Sequence, residues 1–325
     1  MRSALHRTFG EPADVLEAGD SVLPEPGPGE VRIRMTLAPI HNHDLWTIRG
    51  QYGYRPTLPA VGGSEGLGVI DALGEGVEGL SIGQRVTAAS GRGTWAESFV
   101  ANARMVIPIP DAIPDEVAAQ LIAMPLSALM LLEFLQVKRG DWVVQNAANG
   151  AVGTTLAILA AARGIPVLSL VRRDAGAAEM QALGIEHVLS TETDGWRERA
   201  QALLGKAGAR VAVDSVGGTA SGELASLLGE DGTLVSFGSM SGEPMQLASG
   251  DLIFRHLTVK GFWGSKVSRE MALQDKRRLV GELIQRALAG ELRLPVGAIF
   301  DLEDAAKAAA ASLQPGRGGK VLLRA

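Results

Sequence analysis

The chain contains no cysteine, and this absence excludes several kinds of chemistry together. Without thiols the protein can form no disulfide bond, no cysteine-ligated zinc site and no thiolate nucleophile. Aromatic residues are also scarce, at 4% of 325 residues, and only two residues are tyrosines, Tyr52 and Tyr54. Any role that requires a phenol therefore falls on one of two neighbouring positions.

The chain also lacks an excess of basic residues and a long run of apolar residues. The net charge is −5, so the chain offers no positive field to nucleic acid or to an anionic membrane surface. No apolar run is long enough to span a bilayer, and no apolar signal region follows Met1. We therefore expect a soluble, cytoplasmic protein that acts on small molecules.

The most informative segment, residues 141–173, has the order strand, small-residue turn, helix and strand. Within the turn, Ala148, Gly150 and Gly153 occupy the three positions of a G-x-G-x-x-G fingerprint. Small residues allow the backbone to approach a pyrophosphate closely, and the helix that follows presents free N–H groups to the anion. The segment therefore predicts a dinucleotide-binding unit.

The remaining sequence divides by its pattern of strands and helices. Residues 1–117 alternate apolar and polar positions between Gly-rich turns, which predicts a β-rich domain. Residues 118–265 alternate helices with short apolar strands, which predicts a doubly wound parallel sheet of the Rossmann type. In residues 266–325, a long amphipathic helix is predicted after Ser268, and we expect this tail to return to the β-rich domain. The predicted fold class is α/β.

Three segments carry a resemblance to a known family. They are the turn Val144–Asn149, the segment Gly50–Gly66 around Tyr52, and the segment Leu252–Trp263 that ends in Gly-Phe-Trp. The chain resembles the medium-chain dehydrogenase/reductase superfamily, and within it the trans-2-enoyl-CoA or enoyl-carrier-protein reductases. The resemblance implies a GroES-like catalytic domain beside the Rossmann domain, and a homodimer with Thr258–Gly261 as a plausible contact. Quinone reductases share this layout and are the natural alternative.

The zinc ligands of the alcohol dehydrogenases in this superfamily are not matched. Their cysteine position reads His41 here, and their His-Glu pair reads Ser64-Glu65. Catalytic zinc takes three protein ligands, whereas these positions supply at most two because serine is a poor zinc ligand. We therefore predict no metal site, and we interpret Glu65 as a structural carboxylate in a Gly-rich turn.

Tyr52 is the best candidate for a catalytic side chain. Reduction of an activated C=C bond delivers a hydride to the β-carbon and builds negative charge on the thioester oxygen. A phenol, with a reference pKa of about 10, remains a donor at neutral pH and can hydrogen-bond that oxygen or relay a proton to the α-carbon. The resemblance gives the matching tyrosine this kind of role. It also places the backbone of Phe262 and Trp263 against the nicotinamide carboxamide or the substrate carbonyl, although an aromatic packing pair is the open alternative.

Arg172 and Arg173 end the second strand of the nucleotide unit, where such folds select between NADH and NADPH. Guanidinium groups suit the dianionic 2′-phosphate of NADPH, whereas NAD-specific enzymes place an acidic residue near this point. We therefore predict NADPH as the cofactor, with its pyrophosphate bound at the start of the helix. The turn and resemblance together assign these cofactor-binding residues: His41, Ser127, Asn149, Gly150, Ala151, Val152, Arg172, Arg173, Gly238, Met240, Phe262 and Lys320.

The sequence thus favours an NADPH-dependent, zinc-independent reductase of 2-enoyl thioesters. One alternative is a quinone or α,β-unsaturated carbonyl reductase with the same cofactor. Another is a non-catalytic NADPH-binding redox sensor, although a pure binder needs no proton donor such as Tyr52. His41 replaces a family asparagine beside the nicotinamide, where it can act as a donor or as a pH-dependent proton source. Neither the acyl chain length nor the acyl carrier follows from the sequence.

Overall fold

The computed structural model describes residues 1–89 and 92–325, which form two compact units. The first unit consists of residues 1–123 and 282–325, and the second of residues 124–281. Within the described ranges, no helix is both long and apolar enough to cross a membrane.

The first unit is mainly β-structure. Its elements have these bounds: β1 Arg2–His6, α1 Pro12–Val15, β2 Leu16–Asp20, β3 Glu30–Pro39, α2 Asn42–Ile48, β4 Ala60–Val61, β5 Gly66–Leu73, β6 Arg85–Ala88, β7 Ser98–Asn102, β8 Val106–Pro108, α3 Asp115–Ala118, and, near the C-terminus, β15 Val296–Asp301, α12 Ala305–Leu313 and β16 Lys320–Arg324. One sheet has the strand order β2-β1-β4. The other has the order β15-β16-β3-β5-β6-β8, with β7 also paired to β3.

The first unit's core follows the period-two alternation of its strands. Along β3, the side chains of Val31, Ile33 and Met35 are buried, whereas Arg34 is exposed. These apolar residues join a buried cluster that also contains Phe99. Because burying one such side chain stabilises a fold by about 1.5–3 kcal/mol, this alternation fixes which face of the sheet points inward.

The second unit is a parallel α/β sheet, and this confirms the predicted fold class. Its elements have these bounds: α4 Ala123–Leu135, β9 Val143–Gln145, α5 Ala151–Ala162, β10 Val167–Val171, α6 Asp174–Ala182, β11 Val188–Ser190, α7 Trp196–Leu204, β12 Ala209–Asp214, α8 Thr219–Leu227, β13 Leu228–Ser236, α9 Ser249–Phe254, β14 Thr258–Gly261, α10 Gly264–Glu270 and α11 Leu273–Leu288, whose last turns belong to the first unit's residues. The strand order is β11-β10-β9-β12-β13-β14, and all neighbours are parallel. Every residue of β10 is buried, as expected for a strand covered on both faces.

The sequence prediction of one long helix after Ser268 is wrong about where that helix begins. Ser268 lies inside α10, which ends before Met271, and α11 begins at Leu273. The backbone of Met271 is extended, with φ −68° and ψ 135°, so it cannot continue the helix.

Candidate active site

A Gly62–Gly63 turn leads into β5 and determines where Glu65 lies. A Cβ atom on either glycine would lie 2.3 Å from an atom of the Trp95 side chain, and Gly63 has φ +90°. Trp95 is buried, and its indole N–H donates a hydrogen bond to the carbonyl oxygen of Pro39 at 3.2 Å. Only glycine tolerates both the close approach and the positive φ, so the turn is held against the core and directs Glu65 inward.

Glu65 is a fully buried carboxylate with three hydrogen-bond contacts. Its Oε1 atom accepts hydrogen bonds from the backbone N–H groups of Ile122 and Ala123, each at 2.9 Å. Its Oε2 atom lies 2.7 Å from Nε2 of His41. Burial raises the pKa of Glu65 to about 7, and the two backbone hydrogen bonds oppose that shift. Glu65 therefore joins the turn before β5 to residues 122–123 and to the start of α2.

His41 is the N-cap of α2 and is also fully buried. Its backbone N–H donates to Oδ2 of Asp44 at 2.9 Å, which fixes the first turn of the helix. Burial lowers the pKa of His41 well below its usual range, and the charge of Lys320 lowers it further. A neutral imidazole that donates from Nε2 to Glu65 leaves Nδ1 as an acceptor, and Nδ1 has no hydrogen-bond partner among the described residues.

Tyr52 lies in an irregular segment between α2 and β4, above two histidine rings. The ring of His43 is stacked on that of His41, with centroids 5.1 Å apart, and the ring of Tyr52 lies 5.7 Å from that of His43. Nε2 of His43 is 2.7 Å from Oγ of Ser64. Tyr52 is 38% exposed, and its hydroxyl makes no hydrogen bond to a described residue. The phenol is therefore free to bind a ligand.

Lys320, the first residue of β16, is the second unsatisfied polar group in this region. It is 91% buried, being 9% exposed, yet its ammonium makes no hydrogen bond or ion pair within residues 1–89 and 92–325. Burial lowers the pKa of Lys320 to about 8, the charge of Arg317 adds to that effect, and Asp44 and Glu65 oppose it. A buried ammonium without a partner is a ready donor to an incoming oxygen.

Zinc does not fit the residues at this position. His41 and Glu65 hydrogen-bond each other through Nε2 and Oε2. The structure forms no group of three or more His, Cys, Asp or Glu residues that could hold a metal, in the part of the chain that it describes. Catalytic zinc requires three protein ligands, so the pair does not form the zinc site of the alcohol dehydrogenases.

In the second unit, the turn between β9 and α5 leaves room for an anion at the start of the helix. A Cβ atom on Gly153 would lie 2.6 Å from the carbonyl oxygen of Ala148, so only glycine fits there. Gly150 is the N-cap of α5 and supplies no side-chain cap. The backbone N–H groups of residues 151–153 make no hydrogen bond to another described residue, whereas Thr154 bonds back to Gly150. Free N–H groups at a helix N-terminus are the arrangement that binds a phosphate.

Buried side chains from neighbouring strands hold this turn in place. Nε2 of Gln145 donates to the carbonyl oxygen of Gly153 at 2.8 Å, and Nδ2 of Asn146 donates to Oδ1 of Asp214 at 2.7 Å. Oδ1 of Asp214 also accepts from the backbone of residues 216 and 217. The Gln-Asn pair of the sequence motif therefore positions the turn. The sequence analysis missed Asp214, whose only local signal was a polar residue at the end of an apolar strand.

Arg172 and Arg173 lie exposed directly after β10, and neither guanidinium group has an ion-pair partner among the residues described. The Asp174 carboxylate is not free to bind a cofactor ribose, because its Oδ1 already accepts a hydrogen bond from Thr193 at 2.7 Å. That hydrogen bond is the main reason that the pKa of Asp174 is lowered. The two guanidinium groups are therefore available to a ligand at this strand end.

The other predicted residues of the second unit lie beyond the ends of β13 and β14 or near α10. Phe262 is buried between Phe237, at 5.7 Å between ring centroids, and Phe134, at 5.2 Å. Trp263 is 54% exposed. Parallel strands place their carboxyl ends at one edge of the sheet, the edge at which doubly wound folds bind ligands. The structure groups these predicted residues in the second unit: Ser127, Asn149, Gly150, Ala151, Val152, Arg172, Arg173, Gly238, Met240, Phe262 and Trp263.

Tyr52, His41 and Lys320 are instead brought together in the first unit. Nδ1 of His41 is buried without a hydrogen-bond partner among the described residues, and the charge of Lys320 acts on His41. The pattern at residues 41–44 pointed to His41, but the burial of Lys320 had no sequence signal beyond the family resemblance.

Removal of the Lys320 charge should change how stability depends on pH. The folded pKa of about 8 lies below the unfolded value of 10.5, so the unfolded chain binds more protons between these pH values and stability rises with pH there. We therefore predict that Lys320→Met gains stability relative to the unmodified protein at pH 7. That gain should shrink by about 3 kcal/mol by pH 10.5. Urea unfolding of both proteins across this range measures the difference, and a constant difference would contradict the burial of an unpaired ammonium.

Known proteins are similar to this chain over nearly its whole length. Residues 27–111 match the alcohol dehydrogenase GroES-like domain, and residues 151–277 match the zinc-binding dehydrogenase family. The human protein named mitochondrial enoyl-[acyl-carrier-protein] reductase is 34% identical over 99% of this chain and 88% of its own length. A similar protein from Arabidopsis thaliana with the same name is 33% identical over 90% of this chain and 80% of its own.

Solved structures agree with the fold. A Bacillus thuringiensis structure described as a candidate NADPH:quinone reductase has a TM-score of 0.92 at 30% identity, covering 100% of this chain and 98% of its own. A mycobacterial protein solved with NADPH has a TM-score of 0.88 at 29% identity, covering 100% of both chains. Together with the nucleotide-binding turn and the missing zinc ligands, these similarities show that the chain belongs to the zinc-independent medium-chain dehydrogenase/reductases, the oxidoreductase family of the enoyl reductases and quinone oxidoreductases.

Proposed function

We propose that this protein catalyses the NADPH-dependent reduction of the C=C bond of 2-enoyl thioesters. The observation that carries the proposal is the free phenol of Tyr52, whose ring lies 5.7 Å from that of His43, in a region where the described residues form no group of three metal ligands. Relatives that span nearly the whole chain, such as the human protein, are named enoyl-[acyl-carrier-protein] reductases, which supports the substrate class.

NADPH fits the second unit through two features. The unbonded N–H groups at the start of α5 suit its pyrophosphate, and the unpaired Arg172 and Arg173 suit its 2′-phosphate. The mycobacterial neighbour was solved with NADPH, which supports the same cofactor here. When bound, NADPH supplies the hydride that is added to the substrate's β-carbon. Gly238, Met240 and the Phe262 backbone are proposed to line the same cofactor.

His41 and Lys320 are proposed to bind the nicotinamide end of the cofactor. Nδ1 of His41 is a buried acceptor without a donor, and Lys320 is a 9% exposed residue whose ammonium has no acceptor among the described residues. A primary carboxamide carries one NH₂ donor and one carbonyl acceptor and so complements both groups. The two residues therefore offer the hydrogen-bonding groups that a carboxamide needs. This assignment requires a neutral His41, in agreement with its lowered pKa.

Tyr52 is proposed to stabilise the charge that develops on the thioester oxygen. As the hydride reaches the β-carbon, the π electrons move toward the carbonyl, and the phenol O–H donates a hydrogen bond to the resulting enolate oxygen. A proton then reaches the α-carbon, either from Tyr52 or from solvent, which completes the saturated acyl thioester. Trp263, exposed at the end of β14, is proposed to contact the substrate.

Quinone or α,β-unsaturated carbonyl reduction is the second candidate function. The Bacillus thuringiensis neighbour, described as a candidate NADPH:quinone reductase, has the higher TM-score of the two structures compared above. The same hydride geometry and the same phenol would serve a carbonyl that is not a thioester.

We also propose that the protein is a cytoplasmic homodimer. β14 is the edge strand of its sheet, and Val259 on it is 40% exposed. Nearby on α9, the side chains of Ile253 and Phe254 are 60% and 81% exposed. An edge strand beside exposed apolar side chains favours pairing with a second copy, and a monomer in sedimentation at micromolar concentration would contradict it.

Tyr52→Phe should lower turnover of crotonyl-CoA by about 100-fold or more, because it removes the donor to the enolate oxygen. NADPH binding should remain unchanged. The matched control is Tyr54→Phe, since Tyr54 packs under the guanidinium of Arg92 at 4.2 Å. The measurement is NADPH oxidation with crotonyl-CoA, a quinone and a simple enone in parallel.

The same assay separates the competing functions. Faster reduction of the quinone or enone than of crotonyl-CoA would favour the second candidate. Full turnover by Tyr52→Phe would remove Tyr52 from the mechanism, and tight NADPH binding without turnover of any substrate would indicate a redox sensor.

The double substitution Arg172→Ala, Arg173→Ala should abolish the preference for NADPH. Loss of two charge-assisted contacts to the 2′-phosphate should lower the ratio of kcat/KM for NADPH to that for NADH by roughly 100-fold. Lys206→Ala, which removes an exposed charge from the same unit, is the control. An unaltered ratio in the double variant would overturn the assignment of these arginines to the 2′-phosphate.

A further inference from the structure

Three aromatic rings from one short stretch of chain lie one after another, which we call the ring column: His41 and His43, which are stacked, and Tyr52, which is tilted against His43. The ring planes of the two histidines differ by 20°, and those of His43 and Tyr52 by 30°. The lower end of the column is fully buried, whereas Tyr52 at the upper end is 38% exposed. The column therefore leads from the interior of the first unit to the proposed donor.

The buried end of the ring column is fixed at several atoms. The imidazole of His41 is hydrogen-bonded to Glu65, and the backbone N–H of His41 donates to Asp44. Glu65 is in turn held by the backbone N–H groups of residues 122 and 123. The base of the column can move only if these buried hydrogen bonds break.

The exposed end has few contacts of its own. Residues 51–59 contain no helix or strand, and the Tyr52 hydroxyl makes no hydrogen bond with a described residue. The His43 ring is the aromatic contact that the structure gives Tyr52. His43 itself is secured by its position in α2 and by the contact of its Nε2 with Ser64 at 2.7 Å.

We propose that His43 is a positioning residue that holds the phenol of Tyr52 where it donates to the substrate oxygen. The inference rests on the proposed function of Tyr52. The contact to Tyr52 is between tilted rings with centroids 5.7 Å apart, and Nε2 of His43 lies 2.7 Å from Oγ of Ser64, so His43 acts by packing. Any flat ring at residue 43 should therefore preserve the position of the phenol, whereas a side chain without a ring should not.

Two variants separate ring packing from the polar contacts of the imidazole. His43→Phe keeps a ring beneath Tyr52 and loses the bond to Ser64, whereas His43→Asn removes the ring and keeps a polar side chain. Because misplacement of a catalytic group by about 1 Å can lower a rate up to 100-fold, we expect His43→Asn to lower kcat by about 10- to 100-fold. The KM for NADPH should not change, and His43→Phe should stay within about three-fold of the unmodified kcat.

The position of Tyr52 can also be measured without turnover. The chain has only two tyrosines, so 3-fluorotyrosine labelling gives two ¹⁹F resonances, and Tyr54→Phe assigns them. The Tyr52 resonance should keep its ring-current shift in His43→Phe and move toward that of free 3-fluorotyrosine in His43→Asn. The Tyr54 resonance should not move in either variant.

Two outcomes overturn the inference. An unmoved Tyr52 resonance in His43→Asn would show that His43 does not position the phenol. A loss of kcat in His43→Phe equal to that in His43→Asn would show that the imidazole acts through its nitrogens. Failure of the proposed function is distinguishable, because it appears as full turnover by Tyr52→Phe whatever the ¹⁹F spectra show.

Discussion

The hydrogen bond between His41 and Glu65 is the interaction on which the first unit's site depends. Both side chains are fully buried, and their contacts join the turn before β5, the start of α2 and residues 122–123. Removal of one partner would leave Nε2 of His41 or Oε2 of Glu65 buried without this hydrogen bond, at a cost of about 1–3 kcal/mol. The pKa directions reflect this burial, since the pKa of His41 is lowered and that of Glu65 is raised to about 7.

In the second unit, the corresponding feature is a turn from which side chains are excluded. The Cβ clash at Gly153 and the uncapped N-terminus of α5 leave backbone N–H groups available to an anion. Buried amides and Asp214 hold the turn by hydrogen bonds to neighbouring strands. The groups that this turn offers to an anion are therefore backbone N–H groups, and the Gln145 and Asn146 side chains hold the turn from behind.

Much of this arrangement could be predicted from the sequence, because it depends on residues that lie close together in the chain. Alternation in β3, the unbroken apolar run of β10 and the small residues at 148–153 each reflect contacts within a few residues. These patterns gave the fold class and the nucleotide-binding turn. The helix break at Met271 was not predicted, because no proline or glycine marks it. The extended backbone of Met271 alone ends the helix.

The polar contacts between distant segments could not be predicted in the same way. His43 meets Ser64, Asn146 meets Asp214, and Lys320 is buried only because the C-terminal strand pairs with the rest of its sheet. Nothing in the residues adjacent to these positions marks the partner. The sequence therefore made Tyr52 a candidate, but it did not show the histidine rings packed near it.

Turnover is expected to depend on Tyr52 and on the cofactor, and not on a metal bound at His41 and Glu65. The most direct test is metal analysis of the purified protein, paired with NADPH oxidation by crotonyl-CoA before and after treatment with a chelator. We predict a zinc content far below one per chain and an unchanged rate after chelation. Stoichiometric zinc whose removal abolishes turnover would contradict this.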